Sequence, residues 1–423
     1  MYGAFFFLPL LDPPNAENYV RWSLLLFALY LPFVAWARQL PKGRMWWTLV
    51  GLAILSRLLL WPHDPSMSDD AYRYLWDGKV QAHGLNPYEE PPNSPYLMHL
   101  RDTLIHPFIN HPKMPTVYPP VAQAAFTGAY LVQPQGFVGW KVLLGLSEGV
   151  ACLLMLYGLQ LRGKAAGGLL LYLWCPLPIL EISLDGHLDA LAMPFLLGIF
   201  YAAALKRGVA VGVLLALTIL IKPLPIFWVP VLFVWLRWRQ GWRMLASALV
   251  TGLLIMLPYV QEWGNLLKQM GVYSRHWYFN GPFYTLLDIW LIQEANRLIL
   301  SSVVLMASIG AAFLRIPLRW RLFLPLAVYM LFTPTLYPWY LLWLAPWLVI
   351  GPTRFLFGCF ALIPLSHLVR SFKQIDGEWA LPAAIMFIEF LPLCWLLLLD
   401  LRDVYRKRQR QAALFSDFSA RTS

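Results

Sequence analysis

Apolar residues in this chain come in long runs rather than in alternation, and the runs recur from one end to the other. They lie at about 21–37, 45–61, 138–160, 166–184, 188–204, 208–221, 225–237, 243–259, 297–314, 320–334, 338–351, 355–369 and 381–399, and few charges interrupt them. Such runs read as transmembrane helices, since crossing the hydrocarbon takes roughly 20 apolar residues. Several are shorter, so their ends must extend into the polar residues beside them. Pro194, Pro225, Pro230 and Gly252 fall inside runs, which membrane helices tolerate where neighbours re-satisfy the freed backbone groups. The pattern predicts an all-α polytopic membrane protein.

Basic residues set the sides. Arg38, Lys42 and Arg44, then Arg162 and Lys164, Lys206 and Arg207, Arg237, Arg239 and Arg243, Arg315, Arg319 and Arg321, Arg354, and a closing group of Arg402, Arg406, Lys407, Arg408 and Arg410 separate successive runs. Placing all of them on the cytoplasmic face gives a consistent alternation if 119–132 is a re-entrant or interfacial helix; the result is about thirteen spans. The chain then divides into one transmembrane domain, 1–400, and a basic cytoplasmic tail, 401–423. The expected location is the cell inner (plasma) membrane. Connections 62–118, 185–187, 222–224, 260–296, 335–337 and 370–380 fall on the outer face. Loop 62–118 far exceeds ordinary connection lengths. Its nine prolines are mixed with Tyr, Trp and short amphipathic stretches, so it reads as folded on the membrane surface. Met1 to Leu11 is apolar but has neither a basic n-region nor a small-residue cleavage site. It is a poor signal peptide and reads as a short interfacial segment or the tail of something upstream.

Composition agrees. The 423 residues are 59% hydrophobic and 13% charged, more apolar than a soluble domain can hide. The 21 Trp, 20 Tyr and 25 Phe suit membrane interfaces, where aromatic rings collect. The net charge of +11 lies in short groups between apolar runs, not along one stripe, which argues against a nucleic-acid partner. Cys152, Cys175, Cys359 and Cys394 lie inside apolar stretches without metal-ligand or disulfide spacing; they read as packed or lipid-facing.

Chemistry concentrates in the acidic residues. Asp64, Asp69, Asp70 and Asp77 fall at the end of the second run. Asp70, Arg73, Tyr74 and Asp77 share one face of a short helix, which Asn86-Pro87-Tyr88 is expected to end. A second group, Glu181, Asp185, His187 and Asp189, sits where one run ends and the next begins. Asp185 fits a helix N-cap; His187 and Asp189 do not, and a carboxylate inside an apolar run must face protein, water or a partner. Cations also appear in the outer connections, where few are expected: Lys222, Arg275 with His276, Arg370 and Lys373. Facing two carboxylate groups, they point to an anion at the outer leaflet, such as a lipid phosphate. Adjacent Asp69 and Asp70 are also able to hold a divalent cation such as Mg or Mn with phosphate oxygens, although three-ligand spacing is absent.

Ser68-Asp69-Asp70-Ala71-Tyr72-Arg73-Tyr74-Leu75-Trp76-Asp77-Gly78 and the following Gly84-Leu85-Asn86-Pro87-Tyr88 resemble the first outer loop of membrane glycosyltransferases of the GT-C fold that use polyprenyl-phosphate sugars. The chain is most similar to bacterial polyprenyl-phosphomannose-dependent mannosyltransferases and, more distantly, to the first mannosyltransferase of GPI-anchor synthesis. Tyr118-Pro119-Pro120, Asp185-Gly186-His187-Leu188-Asp189, Lys222-Pro223 and Tyr337-Pro338-Trp339-Tyr340 resemble later elements of that family in the same order, over roughly 45–350. The resemblance implies transfer of a hexose, by analogy mannose, from a polyprenyl-phosphate sugar to a glycan or glycolipid hydroxyl on the outer face. It implies an essential acid at the head of the first motif, which favours Asp69 as base with Asp70 as its partner. The family often writes Asp-x-Asp or Glu-Asp there, so the adjacent pair leaves the choice open, with Asp189 a third candidate. Arg73, Asp77, Asn86, Tyr88, Tyr118, His187, Lys222, Arg275, His276, Tyr337 and Arg370 are the expected substrate-binding residues. A polymerase or ligase of lipid-linked glycans would share this layout. A transporter would show repeats or mid-membrane charges, and neither is evident.

Overall fold

The computed structural model describes residues 16–376 and 379–422. The expected interfacial segment Met1–Leu11 lies outside the described residues, as do the side chains of Lys407, Arg408 and Arg410. Among the described residues every regular element is helical. In chain order the main ones are α1 (Ala16–Ala37), α2 (Arg44–Leu58), α3 (Asp70–Ala82), α4 (Pro120–Val132), α5 (Val138–Leu161), α6 (Ala166–Leu173), α7 (Pro176–Leu184), α8 (Leu188–Ala204), α9 (Gly208–Ile219), α10 (Val229–Met256), α11 (Trp263–His276), α12 (Pro282–Asp288), α13 (Gln293–Phe313), α14 (Leu318–Phe332), α15 (Arg354–Lys373) and α16 (Ala383–Thr422).

Six helical stretches are long and apolar enough to cross a membrane. A seventh is the pair α6 and α7, bent by 59° where Pro176 interrupts it. The apolar helices α8 and α9 are shorter. Large side chains such as Leu146, Leu153, Leu249, Leu254, Met306 and Leu391 point outward and are more than half exposed. A water-soluble surface does not carry an apolar belt of this extent. The chain is an all-α membrane protein.

The neighbours of α9 show that α10 is two antiparallel pieces. The Lys206 ammonium donates to the Trp235 carbonyl, while the Gly208 N–H donates to the Gln240 side chain at 3.2 Å. Farther along, Gly212 abuts the Met244 carbonyl. The chain therefore arrives antiparallel to α9 and leaves parallel to it, reversing at Arg237, whose φ is 66°.

A buried ion pair cross-braces three helices. Arg57 on α2 meets Glu148 on α5 with nitrogen–oxygen distances of 2.9–3.0 Å, and it donates to the Leu173 carbonyl on α6 at 2.9 Å. Tyr172 completes the group by donating to Glu148 at 2.8 Å. Both charges are nearly inaccessible. Inside an apolar layer such a pair is tolerated only because each group is fully matched. It is also a charge pair within the spans, where none was evident from the sequence, and its pairing to a neighbouring helix makes it a structural brace.

The six connections expected on one face do meet at one end of the bundle. The Asp185 carboxylate accepts the N–H groups of Ser66 and Met67, and Arg370 donates to the Met67 carbonyl. Lys222 pairs with Asp189, and the N–H of Val121 donates to the Leu220 carbonyl. Phe279 pairs backbone to backbone with residues 334 and 336. Loop 62–118 is folded, as expected. Its helix α3 packs on α4 so closely that a Cβ at Gly78 would strike the Phe126 carbonyl. Two local expectations fail. Helix α3 ends at Ala82, followed by Gly84 at φ 77°, a left-handed position that glycine takes freely, so Pro87 is not the stop. Asp185 follows α7 and binds the 66–67 backbone across the bundle instead of capping a helix start.

Segment 119–132 forms helix α4, thirteen residues long, about 20 Å of rise and short of the hydrocarbon thickness. Topology is open to direct measurement. Tyr96 is 77% exposed on the site end, and Arg239 is exposed beside the reversal at the other. Cysteine at Tyr96 is expected to react with an impermeant thiol reagent on intact cells, and cysteine at Arg239 only after lysis. The opposite pattern would invert the orientation.

Candidate functional site

The first acidic motif sits where α3 begins. Asp69 occupies the N-cap position but its side chain makes no cap bond; Ser68 Oγ instead accepts the Asp70 N–H. This leaves both carboxylates free to face outward from the helix start. Asp69 is exposed and Asp70 partly buried. One amide gathers them: Asn110 Nδ2 donates to Asp70 Oδ1 at 2.6 Å and to Asp69 Oδ1 at 3.2 Å. Burial and the adjacent Asp69 charge push the Asp70 carboxyl up to about 7, with Asp189 adding to the effect and Asn110 and Lys222 opposing it. Among the described residues, Asp70 Oδ2 has no hydrogen-bond partner.

Opposite lies a second carboxylate. Asp189 is buried at the start of α8, where its Oδ1 accepts from Lys222 Nζ at 2.7 Å and from the Trp343 indole. Its Oδ2 is buried and, among the described residues, has no hydrogen-bond partner. Lys222 lies 3.7 Å from the centre of the Tyr340 ring, and the Tyr340 hydroxyl bonds that of Tyr273 on α11 at 2.9 Å. A cation over an aromatic face with a carboxylate beside it is held in place by both. It is still 23% exposed, so it can meet a further anion.

An aromatic wall closes one side. Phe279, Tyr337, Trp339 and His187 stack in succession, with ring centres 4.4, 4.4 and 3.9 Å apart. Behind it, Glu181 is buried between His187 and His367, at 3.3 and 3.1 Å. A small cavity beside the wall is lined by Met67, Tyr337, Trp339, His367, Arg370 and Trp379. Arg370 spends only Nε on the Met67 carbonyl.

The structure thus brings together Asp69, Asp70, Asp189, Lys222, His187, Tyr337 and Arg370 around one end of the bundle. Other expected residues are occupied elsewhere. Arg73 and Asp77 pair with each other at 2.8 Å, buried against Gln123 of α4. Asn86 accepts the Tyr88 N–H at 3.1 Å, and Tyr88 donates to the Tyr118 carbonyl at 2.8 Å. These three shape the loop. The Tyr118 ring packs edge-on to Tyr74 and Phe126. Arg275 and His276 are exposed at the end of α11, with His276 Nδ1 3.0 Å from the Val272 carbonyl.

Sequence reasoning did not single out Asn110, Tyr273, Trp343 or His367. Asn110 precedes His111, whose φ is 45° and whose ring packs edge-on to Trp277; this turn aims the amide at the carboxylates. Burial holds the His111 imidazole below its ordinary range, against the opposing pull of the Asp69 charge. A glycine is equally pinned: Gly186 has φ 72° and its carbonyl accepts the Trp140 indole N–H at 2.6 Å. Among the described residues no group of three His, Cys, Asp or Glu is gathered for a metal. Asp69 and Asp70 are the residues that would hold a divalent cation, and the Asn110 amide already bonds both carboxylates. No family model, curated protein or solved structure matches the chain.

Proposed function

We propose that this protein is a membrane glycosyltransferase that moves a hexose, with mannose the first choice, from a polyprenyl-phosphate sugar to a glycan or glycolipid hydroxyl at the outer face. The observation that carries the reading is the convergence of Asp70, with a proton affinity suited to neutral pH, on the Lys222–Asp189 pair at the membrane surface. The motifs of the first loop and their order support a GT-C fold. The distribution of basic residues points to about thirteen crossings; the reversal at Arg237 and the bent pair α6–α7 raise the six long apolar stretches to eight, and the shorter apolar helices α8 and α9 are further candidates.

The chemistry is a single displacement. The acceptor oxygen attacks the anomeric carbon, the bond from that carbon to the phosphate oxygen breaks, and configuration inverts. A carboxylate takes the hydroxyl proton as the new bond forms. Polyprenyl phosphate departs without protonation, its growing charge met by Lys222 and by Arg370 across the aromatic wall. Asp70 is the better base on geometry, since it is partly buried, oriented by Asn110 and open at Oδ2. Asp69, exposed at the mouth, raises its basicity. Asp189 orients Lys222. No step is routed through a metal ion.

Purified protein assayed against a panel of polyprenyl-phosphate sugars tests the reading by release of polyprenyl phosphate coupled to a glycosylated acceptor. Failure with every sugar, while flipping or polymerising a lipid-linked glycan, would favour the transporter or polymerase instead. Donor recognition has its own test. Lys222→Gln is expected to weaken transition-state binding by about 2 kcal/mol, roughly thirtyfold in kcat/KM, the size of one charge-assisted contact. An unchanged kcat/KM would remove Lys222 from the donor site.

A further inference from the structure

At the opposite end of the bundle, three cations converge around one tryptophan, and among the described residues none of the three is in an ion pair. Helix α9 separates the two ends: Lys222 follows it and Lys206 precedes it, with about 18 Å of helix between. Lys206 Nζ lies 4.1 Å from the centre of the Trp235 ring, and the Arg321 guanidinium carbon lies 5.2 Å from the same ring. Arg237, two residues past Trp235, stands exposed at the reversal. Lys206 and Arg237 are two of only four non-glycine described residues with positive φ, a backbone state that persists where the surroundings dictate it. We propose that Lys206, Arg237 and Arg321, gathered around Trp235, form a binding site for a phosphate group, supplied by the headgroup of an anionic lipid in the leaflet at this end.

The charge arithmetic favours a ligand. No Asp or Glu occurs from residue 190 to 261 or from 295 to 375, so none of the segments forming this site supplies a carboxylate. Like charges this close repel, and burial together with Arg237 and Arg321 lowers the Lys206 ammonium below its ordinary range. Donors remain available. Arg321 uses Nε and one terminal nitrogen on the Ile316 and Ala312 carbonyls, which leaves its second terminal nitrogen open. Lys206 uses one of three protons on the Trp235 carbonyl. Trp235 is itself anchored by donating to the Ala203 carbonyl at 3.0 Å, so its face is a fixed platform. Planar and point-charge donors around a rigid ring suit tetrahedral phosphate oxygens. The ring edge and the exposed Trp238 and Trp242 nearby suit the acyl–headgroup boundary.

The test is lipid-dependent thermal stability of the purified full chain in neutral detergent. Doping with phosphatidylglycerol is expected to raise Tm by about 4 °C more than the same fraction of phosphatidylcholine. The double variant Lys206→Gln/Arg237→Gln is expected to lose that difference, and Arg207→Gln, an exposed neighbour not placed on Trp235, to keep it. Equal response to the two lipids, or a double variant that responds like the parent, would overturn the site. Millimolar inorganic phosphate is the second arm. A shift from phosphate as large as that from phosphatidylglycerol would keep the site but overturn the lipid as its source. If the double variant is less stable from the start, native mass spectrometry counts retained phosphatidylglycerol instead, and retention equal to the parent's refutes the proposal.

Discussion

Asp70→Asn is expected to lose at least 10²-fold in kcat with donor binding retained, the scale of a missing general base. The amide keeps the shape and the hydrogen-bonding reach of the carboxylate but cannot take a proton. The parent's kcat/KM should rise with pH through about 7, because only the ionised Asp70 serves and its carboxyl is held near that value. Its neighbours move this limb in opposite directions. Removing the Asp69 charge relieves repulsion of the ionised form, so Asp69→Asn should shift the limb to lower pH while most turnover survives. Removing the Asn110 amide withdraws a hydrogen bond that favours the ionised form, so Asn110→Ala should shift it upward. The three profiles separate the two carboxylates more sharply than rates alone. If Asp69→Asn abolishes turnover and Asp70→Asn leaves the limb in place, the base is Asp69, as the motif resemblance favours. Near-parental rates in both would discard the site.

The other large effect concerns stability. Arg57→Ala is expected to cost about 3–5 kcal/mol, because it leaves the Glu148 carboxylate buried without its partner. Tyr172 then offers Glu148 a single neutral hydrogen bond. The double variant Arg57→Met/Glu148→Leu removes both charges and fills similar volume, and should recover most of the loss. Unfolding in denaturant, with the parent and the two variants side by side, checks both statements. A parental midpoint for Arg57→Ala would mean that the pair contributes no stability, and that α2, α5 and α6 are held together by packing alone. Because the site connections are tied to the same helices, turnover of the double variant also shows whether the brace serves only the fold.

Two kinds of information separate cleanly in this protein. The bundle was legible along the chain, because lipid demands long apolar runs and basic residues mark their ends. The first acidic motif was legible for a related reason: Asp69 and Asp70 are neighbours, and their helix follows from local periodicity. Even there, local reasoning misjudged the polar face of α3. Arg73 and Asp77 are four apart and satisfy each other, and α4 covers them, so the face is a packing surface. Asn86 and Tyr88, conspicuous as a motif, spend their side chains on bonds within the loop itself. The sequence by itself determined that the chain is helical, lies in a membrane, gathers six connections at one end, and carries an acidic pair there. Only the tertiary structure decided which groups stand beside that pair. Asn110 lies 40 residues from Asp70, Trp343 154 from Asp189, and His367 186 from Glu181. Contacts at such separations leave no periodicity in the chain. They arise because helices of fixed length, crossing one thin apolar layer, return distant segments to the same surface.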